Sequence, residues 1–254
     1  MSLLEARLRE RLDRGGKALV PYVTGAVPGV DADLLRRIEA AGADAVEIGI
    51  PFSDPVMDGP VIQQASSRAL EAGARPEAIL DTIGESGIAA PVVMTYYNPV
   101  LAMGEDRFLA RAREAGVMGV IVPDLPVDEA DGWRERSMAA GVAPVFLAAP
   151  GTNAGRLKLV ADGSEGFVYC VSTYGVTGER GSLEGTAREV VEALRPLTTK
   201  PLLVGVGIGT PEQAKQAAEF ADGVVVGSAI VAHLLRGDLD GMVELVEQLR
   251  AALG

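Results

Sequence analysis

The sequence predicts an α/β fold organised as a (β/α)8 barrel, and three observations support this prediction. Short apolar runs bounded by Gly, Pro and Asp alternate with longer stretches of helical period, as in βα units around a parallel sheet. The runs are nearly continuous in Val, Ile and Leu, which is typical of strands buried on both faces. The length of 254 residues is close to the roughly 250 residues of a TIM barrel. We therefore expect a single TIM-barrel domain over residues 1–254.

Each expected strand is bounded by residues that turn the chain. The strands are predicted at residues 18–24, 45–50, 92–97, 119–123, 145–148, 166–172, 202–206 and 223–226. A doubly wound open sheet is the alternative arrangement. Neither of the glycine patterns that mark dinucleotide or nucleoside triphosphate binding follows the first strand, which weakens that alternative.

A segment of helical period follows each expected strand. These segments are predicted at residues 31–41, 60–72, 76–84, 105–115, 127–140, 153–161, 184–197, 211–221 and 240–252. Asp31 begins the first as an N-cap, and Thr210 stands before Pro211 at a first helical position. The sequence therefore supplies a helix for every strand of the barrel.

An extra helix is expected before the first strand. Leu4, Leu8 and Leu12 lie on one stripe of residues 1–17, a segment that mixes acidic and basic side chains. This composition fits neither a signal peptide nor a transit peptide. No apolar run approaches the ~20 residues of a membrane span.

The composition argues against several classes of function. The chain has 23 Lys and Arg against 35 Asp and Glu, a formal net charge of −12, which disfavours nucleic acid or an anionic membrane as a partner. Cys170 alone allows no intrachain disulfide, and His233 alone provides no histidine cluster for a metal. We expect a soluble, cytoplasmic protein without a metal site.

Glu47 is a single carboxylate within an apolar strand. Period-2 alternation places it on the face of Ala45 and Gly49, opposite Val46 and Ile48. The aliphatic side chains should pack under helices, which leaves Glu47 pointing into the barrel. Burial there would raise its pKa and suit it to acid/base catalysis. A structural glutamate, paired with an arginine or bound by backbone amides, is the alternative.

Further carboxylates follow strand ends, where the chemistry of barrels is found. Asp54 and Asp58 lie in the loop after the second strand, and Asp124 follows the fourth. Asp58 is placed to reach back over the strand end. Asp54 is equally suited to a turn, and Asp58 to capping the helix that begins at Pro60, so these alternatives stay open.

Three glycine-rich turns follow consecutive strands, at residues 175–178, 205–209 and 227–228. Glycine lets backbone amides approach a phosphate, and a helix N-terminus adds a favourable dipole. Barrels often bind phosphate after strands seven and eight. The turns and Ser228 therefore predict a phosphate site that needs no lysine, with plain tight turns as the alternative.

The segment 172–185 is rich in glycine and suited to a lid over the site, or to an ordinary surface loop. Just before it, Tyr169 shares a face with Phe167 and Val171. It would project into the barrel beside Glu47, or pack in the core.

Missing residue types narrow the chemistry. A Schiff-base aldolase needs a lysine at the C-terminal end of a strand, and no lysine is so placed. Metal-dependent aldolases and Ser-His-Asp hydrolases need histidine, whereas His233 falls in the last helical region. Carboxylate acid/base chemistry remains, on a substrate that supplies its own electron sink.

Residues 46–63, VEIGIPFSDPVMDGPVIQ, resemble the acidic strand-and-loop motif of the tryptophan synthase alpha subunit family. Supporting motifs are PYVTG at 21–25, MTYYNP at 94–99, VPDLP at 122–126, GVTG at 175–178 and VGI at 206–208. They lie in order over essentially the whole chain. Tyr22 stands where Phe is common in this family.

The resemblance implies a lyase of tryptophan biosynthesis that cleaves indole-3-glycerol phosphate to indole and glyceraldehyde 3-phosphate without a cofactor of its own. It implies that Glu47 is the acid/base catalyst and that Asp58 stabilises positive charge on the indole ring. Tyr169 would line the pocket, and Thr177 would lie in the closing loop. The phosphate would be held by Gly178, Gly207, Gly227 and Ser228.

The implied partner is a PLP-dependent β subunit, which receives the indole in an α2β2 heterotetramer. Two other hypotheses stay open. One is another phosphate-binding barrel that acts on a related indole or sugar phosphate. The other is a non-catalytic barrel that acts mainly by binding a partner, through the apolar loop residues Val56 and Met57.

Overall fold

Parallel strands that are buried along most of their length form a continuous sheet. The computed structural model describes residues 1–171, 183–205 and 207–254, with only the backbone of residues 183–185. The strands are β1 (Ala18–Thr24), β2 (Val46–Gly49), β3 (Pro91–Met94), β4 (Gly119–Ile121), β5 (Ala143–Val145), β6 (Leu147–Ala148), β7 (Val168–Val171), β8 (Leu202–Gly205) and β9 (Gly223–Val226). They pair in the order β5-β4-β3-β2-β1-β9-β8-β7-β6.

The two ends of this order belong to one interrupted strand. β5 pairs with β4 and β6 pairs with β7, and Phe146 alone separates them. The Phe146 N–H donates to the Ser164 hydroxyl at 3.1 Å rather than to a neighbouring strand. This bond interrupts the ladder within the strand predicted at 145–148. Because β5 and β6 together occupy one strand position, the sheet closes, and the predicted α/β barrel is confirmed.

Two predicted strands, 18–24 and 223–226, coincide with β1 and β9, whereas those predicted at 45–50, 92–97 and 119–123 end one to three residues earlier than expected. The strand predicted at 92–97 is shortened because Tyr97 begins helix α5 (Tyr97–Met103). Its N–H donates to Asp124 Oδ1 at 2.9 Å instead of to a strand.

Helices surround the barrel and also precede its first strand. They are α1 (Leu3–Asp13), α2 (Ala32–Ala40), α3 (Pro60–Glu71), α4 (Pro76–Ser86), α5 (Tyr97–Met103), α6 (Glu105–Glu114), α7 (Asp131–Ala139), α8 (Ala154–Gly163), α9 (Leu183–Leu194), α10 (Pro211–Ala218), α11 (Ser228–Arg236) and α12 (Leu239–Leu253). In the described part of the chain, none combines the length and apolar composition needed to cross a membrane.

The predicted caps form. The Asp31 side chain accepts from the Leu34 N–H at 2.9 Å. Thr210 makes a reciprocal capping box with Gln213, with Pro211 in the first turn of α10. Both helices therefore begin where the sequence places them.

Two helices, α5 and α11, were not expected, and one expected helix is divided. The segment predicted at 127–140 is a 3-10 turn, Val127–Glu129, followed by α7. The α11 helix was not predicted because it continues the apolar run of β9 with only Gly227 and Ser228 between them. Its buried residues Ile230, Val231 and Leu234 have the i, i+1, i+4 spacing of a helix face.

Helix α1 closes the amino end of the barrel. Leu4 and Leu8 are fully buried in the core cluster inside the barrel, while Leu12 is half-buried. A Cβ on Gly119 or Gly166 would lie 2.6 or 2.7 Å from Leu4 Cδ2. Glycine at these positions leaves room for the leucine, and burial of each leucine contributes about 1.5–3 kcal/mol.

Asp44 joins the first and last helices to strand β1. It accepts from Arg11 Nε of α1 at 2.8 Å and from Arg250 Nη1 of α12 at 2.9 Å. Its Oδ2 also accepts from the Leu19 N–H of β1 at 2.9 Å. Both terminal helices are thereby joined to the same strand, at the end opposite to the candidate site.

Candidate active site

Glu47 lies on the interior face of β2. Val46 and Ile48 belong to the core between the sheet and the helices, whereas Ala45 belongs to the core inside the barrel. Alternation therefore directs Glu47 inward, as predicted, and only 1% of its surface is exposed.

The Glu47 carboxyl differs from a structural glutamate, which would have an arginine or backbone amides as partners for both oxygens. Its Oε2 is buried and has no hydrogen-bond partner within the described residues. Burial, together with the negative charge of Asp58, raises the pKa of Glu47 to about 8. At neutral pH the group is therefore a carboxylic acid, which is able to donate a proton inside the barrel.

Asp58 approaches Glu47 from the loop that follows β2. Burial raises the pKa of Asp58 to about 6, and a hydrogen bond from Tyr96 acts in the opposite direction. Asp58 does not cap α3, because the N-cap is Gly59 and no side chain caps it. The site thus pairs a neutral acid with an ionised carboxylate at neutral pH, the combination that separates acid and base roles.

Tyr22 and Tyr169 are two aromatic side chains that also lie near Glu47. Glu47 is the register partner of Tyr22 on the neighbouring strand. Burial raises the pKa of both tyrosines, and the charge of Glu47 raises both further. Tyr169 therefore lies near Glu47 and also packs against the core inside the barrel, with its ring centroid 6.1 Å from that of Phe167.

Tyr96 is a further candidate site residue, which the sequence patterns did not predict. It is buried at the end of β3, and its hydroxyl contacts the loop that carries Asp58. Its position at the end of a strand, within the motif 94–99, could have indicated a site residue, as the same position did for Asp124.

Two candidate carboxylates, Asp54 and Asp124, lie outside this cluster, as does His233. Asp54 is exposed and accepts from the Ser53 hydroxyl, which fits the turn alternative. Asp124 is exposed and accepts from the Tyr97 N–H at the start of α5. His233 contacts Asp238 Oδ2 at 2.8 Å through Nδ1, near the end of α11. These contacts hold local backbone turns and helix ends.

Two of the glycine turns lie side by side, because β8 and β9 are paired with Gly205 opposite Val225. Gly207 is exposed with φ +82°, a conformation that favours glycine. Gly227 is the N-cap of α11, and the exposed Ser228 is its first residue.

The helix N-termini after these two strands differ. At α10, Gln213 Oε1 accepts from the Gly209 N–H at 2.8 Å and Thr210 caps the helix, so the amides of Gly209, Thr210 and Gln213 already have partners. At α11 no side chain caps the N-terminus. The amides at Gly227 and Ser228 are therefore the ones placed to receive an anion.

Some predicted site residues lie outside the described residues. These are Thr177 and Gly178, together with residues 172–182 of the expected lid. Over the ranges that are described, no group of three or more His, Cys, Asp or Glu side chains is arranged to hold a metal ion.

Comparison with known proteins gives one consistent family. The sequence model of the tryptophan synthase alpha chain family matches residues 8–252. The tryptophan synthase alpha chain of Carboxydothermus hydrogenoformans is 43% identical over 236 residues, 91% of this chain and 88% of the relative. That of a Cyanothece species is 41% identical over 251 residues, 95% of this chain and 94% of the relative.

Solved structures of tryptophan synthases are similar to this fold over nearly the whole chain. A tryptophan synthase structure from Mycobacterium tuberculosis superposes with a TM-score of 0.91 at 36% identity, covering 99% of this chain and 98% of that one. The tryptophan synthase subunit alpha of Legionella pneumophila gives a TM-score of 0.90 at 32% identity, covering 100% of this chain and 98% of that one.

Proposed function

Because the chain belongs to the tryptophan synthase alpha chain family, we propose that Glu47 and Asp58 perform the reaction of this family within its barrel. That reaction is the cleavage of indole-3-glycerol phosphate to indole and glyceraldehyde 3-phosphate. The family predicted from the sequence motifs is confirmed, and with it the assignment as a carbon–carbon lyase of tryptophan biosynthesis. The observation that carries the residue roles is the buried Glu47 carboxyl, whose Oε2 has no hydrogen-bond partner within the described residues, with Asp58 near enough to raise its pKa.

The first step is proton transfer to the indole ring. Glu47 is buried and protonated at neutral pH, so it donates its proton to C3 of the indole. The ring then carries a positive charge that is shared with its nitrogen. Because the site is shielded from water, this charge needs a fixed counter-charge.

Asp58 supplies that counter-charge. Its pKa of about 6 keeps it ionised at neutral pH. Its negative charge raises the pKa values of Glu47, Tyr22 and Tyr169, so it acts on the interior of the pocket. A carboxylate at this place stabilises the charged ring more than the neutral substrate, which lowers the barrier.

The second step breaks the carbon–carbon bond. Glu47, now a carboxylate, accepts the proton of the hydroxyl next to the ring. The electrons of the bond between C3 and the side chain return to the ring, and the hydroxyl carbon becomes the aldehyde. Indole and glyceraldehyde 3-phosphate are released, and Glu47 is again protonated, so protons and electrons balance.

The phosphate would bind at the uncapped N-terminus of α11. Gly227 and Ser228 offer amides there, and Gly207 lies in the neighbouring turn. Such amides with a helix dipole hold an anion without lysine. The resemblance adds Gly178 to this group, Thr177 to the closing loop and Tyr169 to the wall of the indole pocket.

We also propose that this chain binds no cofactor of its own. The protonated indole ring is the electron sink, and Glu47 moves both protons, so the chemistry is complete with side chains alone. The PLP of the complex is assigned to the β subunit, which uses the indole.

The partner is proposed to be this β subunit, in an α2β2 assembly. Val56 is 75% exposed, and Met57 lines a cleft of about 510 Å³ with Asp124, Pro126 and Phe146. An exposed apolar loop beside a cleft is typical of a docking surface. It lies next to the site from which indole leaves.

The domain and the location are proposals as well. The continuous sheet and the closing α1 helix support one TIM-barrel domain over residues 1–254. The buried free thiol of Cys170 is consistent with the reducing cytoplasm.

Indole release from indole-3-glycerol phosphate, measured with and without a β subunit, tests the proposal. We expect indole from wild type and none from Glu47→Gln, with both variants folded. Glu5→Gln is the matched control, since Glu5 is also buried but pairs with Arg9 at 2.8 Å in α1. A chain that binds the β subunit but never cleaves the substrate would support the non-catalytic hypothesis. Turnover of only another phosphorylated compound would support the other enzyme hypothesis.

A further inference from the structure

The side chain of Tyr96 contacts both ends of the acidic loop. At the beginning of the loop, its ring packs against Phe52 with the ring centroids 5.2 Å apart. At the end of the loop, its hydroxyl accepts from the Met57 N–H at 2.9 Å, and it lies close enough to the next residue, Asp58, to lower the pKa of that carboxyl. One rigid side chain therefore fixes the path of the loop and the direction of Asp58.

Other described hydrogen bonds of this loop are local. The Val56 N–H donates to Asp54 O at 2.9 Å, and the Asp58 N–H donates to Pro55 O at 3.1 Å. Gln63, in the following helix, donates to Asp58 O at 2.8 Å. These bonds shape the loop and join it to α3, whereas Tyr96 joins it to β3 across the barrel mouth.

The backbone around Tyr96 is itself well anchored. The Thr95 N–H donates to Ile121 O at 3.0 Å, and the Tyr97 N–H donates to Asp124 Oδ1 at 2.9 Å. Only 2% of Tyr96 is exposed. The hydroxyl is therefore held in place before substrate arrives, which is the condition for a supporting residue to orient a reacting group.

We propose that Tyr96 is a positioning residue for the lyase reaction, whose hydroxyl orients the Asp58 carboxylate toward the indole ring by bonding Asp58 and the Met57 amide together. This inference rests on the proposed role of Asp58. The hydroxyl accepts from the Met57 amide, which leaves its own hydrogen to be donated to the Asp58 carboxylate. A phenylalanine would keep the ring contact with Phe52 and could make neither bond.

The hydrogen bond also affects the charge of Asp58. Donation by a hydroxyl stabilises the ionised carboxylate, so it lowers the pKa of Asp58 and opposes the effect of burial. Loss of the bond would raise this pKa, and a larger fraction of Asp58 would be protonated near pH 6–7. A residue that only supported the fold would not move this titration.

The experiment compares Tyr96→Phe with wild type in the indole-release assay from pH 5 to 9. We expect kcat to fall about 10- to 100-fold, as for loss of a hydrogen bond to a charged group, with a smaller change in KM. The acidic limb of the pH profile should move to higher pH by about one unit. Tyr97→Phe is the matched control, because the Tyr97 hydroxyl donates to Glu105 Oε1 at 2.6 Å, away from the site.

A second measurement does not depend on activity. Carbon-13 NMR of aspartate-labelled protein, assigned with Asp58→Asn, should show the Asp58 carboxyl titrating at higher pH in Tyr96→Phe than in wild type. Unchanged kcat and an unmoved titration in Tyr96→Phe would overturn the inference while leaving Asp58 in its role. Full activity of Asp58→Asn would instead overturn the proposed function of Asp58, whatever Tyr96→Phe does.

Discussion

The ring of Tyr169 occupies the space beside Gly205 on the neighbouring strand. A Cβ on Gly205 would lie 2.3 Å from both Cε2 and the hydroxyl oxygen of Tyr169. The same relationship joins β1 and β2, where a Cβ on Gly49 would lie 2.0 Å from the Tyr22 hydroxyl oxygen. Both aromatic rings of the pocket therefore depend on a glycine across the sheet.

Gly205→Ala should displace Tyr169, because its added methyl group meets the ring at a distance that real contacts do not adopt. We expect a loss of stability of about 1–3 kcal/mol from overpacking and a fall in kcat/KM for indole release. Gly84→Ala is the control, since its Cβ would make an ordinary contact at 3.5 Å. A folded Gly205→Ala protein with wild-type kcat/KM would show that Tyr169 does not shape the pocket.

Asp58→Asn should lower kcat by about 10²–10³-fold, the usual effect of removing one electrostatic group that stabilises a transition state. The amide keeps the shape of the side chain but supplies no negative charge to the indole ring. Asp54→Asn removes a carboxylate from the same loop, where it is exposed, and should keep wild-type turnover of the isolated chain. Equal activity of the two variants would contradict the role given to Asp58.

The pH dependence of kcat/KM should be bell-shaped. Activity should rise as Asp58 loses its proton near a pKa of about 6 and fall as Glu47 loses its proton near a pKa of about 8. Indole release measured from pH 5 to 9.5 checks this. A profile that kept rising through pH 9 would mean that the proton donor is not Glu47.

Glu47→Gln should increase stability at alkaline pH. The folded-state pKa of Glu47 is about 8 against an ordinary value of 4.5, so the unfolded chain loses this proton first and stability falls as pH rises between the two. Glutamine cannot ionise, so we expect a gain of roughly 1–4 kcal/mol at pH 8.5 and almost none at pH 4. Urea unfolding at both values measures the difference. An equal effect at both would show that burial does not hold Glu47 neutral.

Ser228→Asp should raise KM by about 10- to 100-fold, because a carboxylate at the first residue of α11 repels the substrate phosphate. Thr210→Asp places the same charge at the N-cap of α10, where Asp is a good cap, and should leave KM unchanged. Steady-state kinetics of both variants separate a phosphate site from a general effect of charge. Similar KM values in the two would place the phosphate elsewhere.

The sequence was most informative where a residue contrasts with its surroundings. Alternation along β2 suffices to direct Glu47 inward, because Val46 and Ile48 need the helix side of the sheet. The interruption at Phe146 depends on the hydroxyl of Ser164, eighteen residues away in sequence, so no local pattern reveals it. Helix α5 is likewise set by Asp124 from the next βα unit.

Tyr96 was not predicted as a site residue for a related reason. An aromatic residue at the end of a buried strand is expected to belong to the core, and its ring does pack on Phe52. The role proposed for it depends on the hydroxyl, whose partner Met57 comes from a loop almost forty residues earlier. Such long-range polar contacts form only in the closed barrel, so local sequence patterns do not predict them.

Leu4 and Leu8 fill the amino end of the barrel, so in the described part of the chain a ligand beside Glu47 enters and leaves at the opposite end. Substrate arrival, aldehyde departure and indole transfer consequently use the same passage and must follow one another. A β subunit receives indole directly only if it covers that passage. The α1 helix, far from any reacting atom, thereby determines on which face of the molecule the two enzymes of the complex must meet.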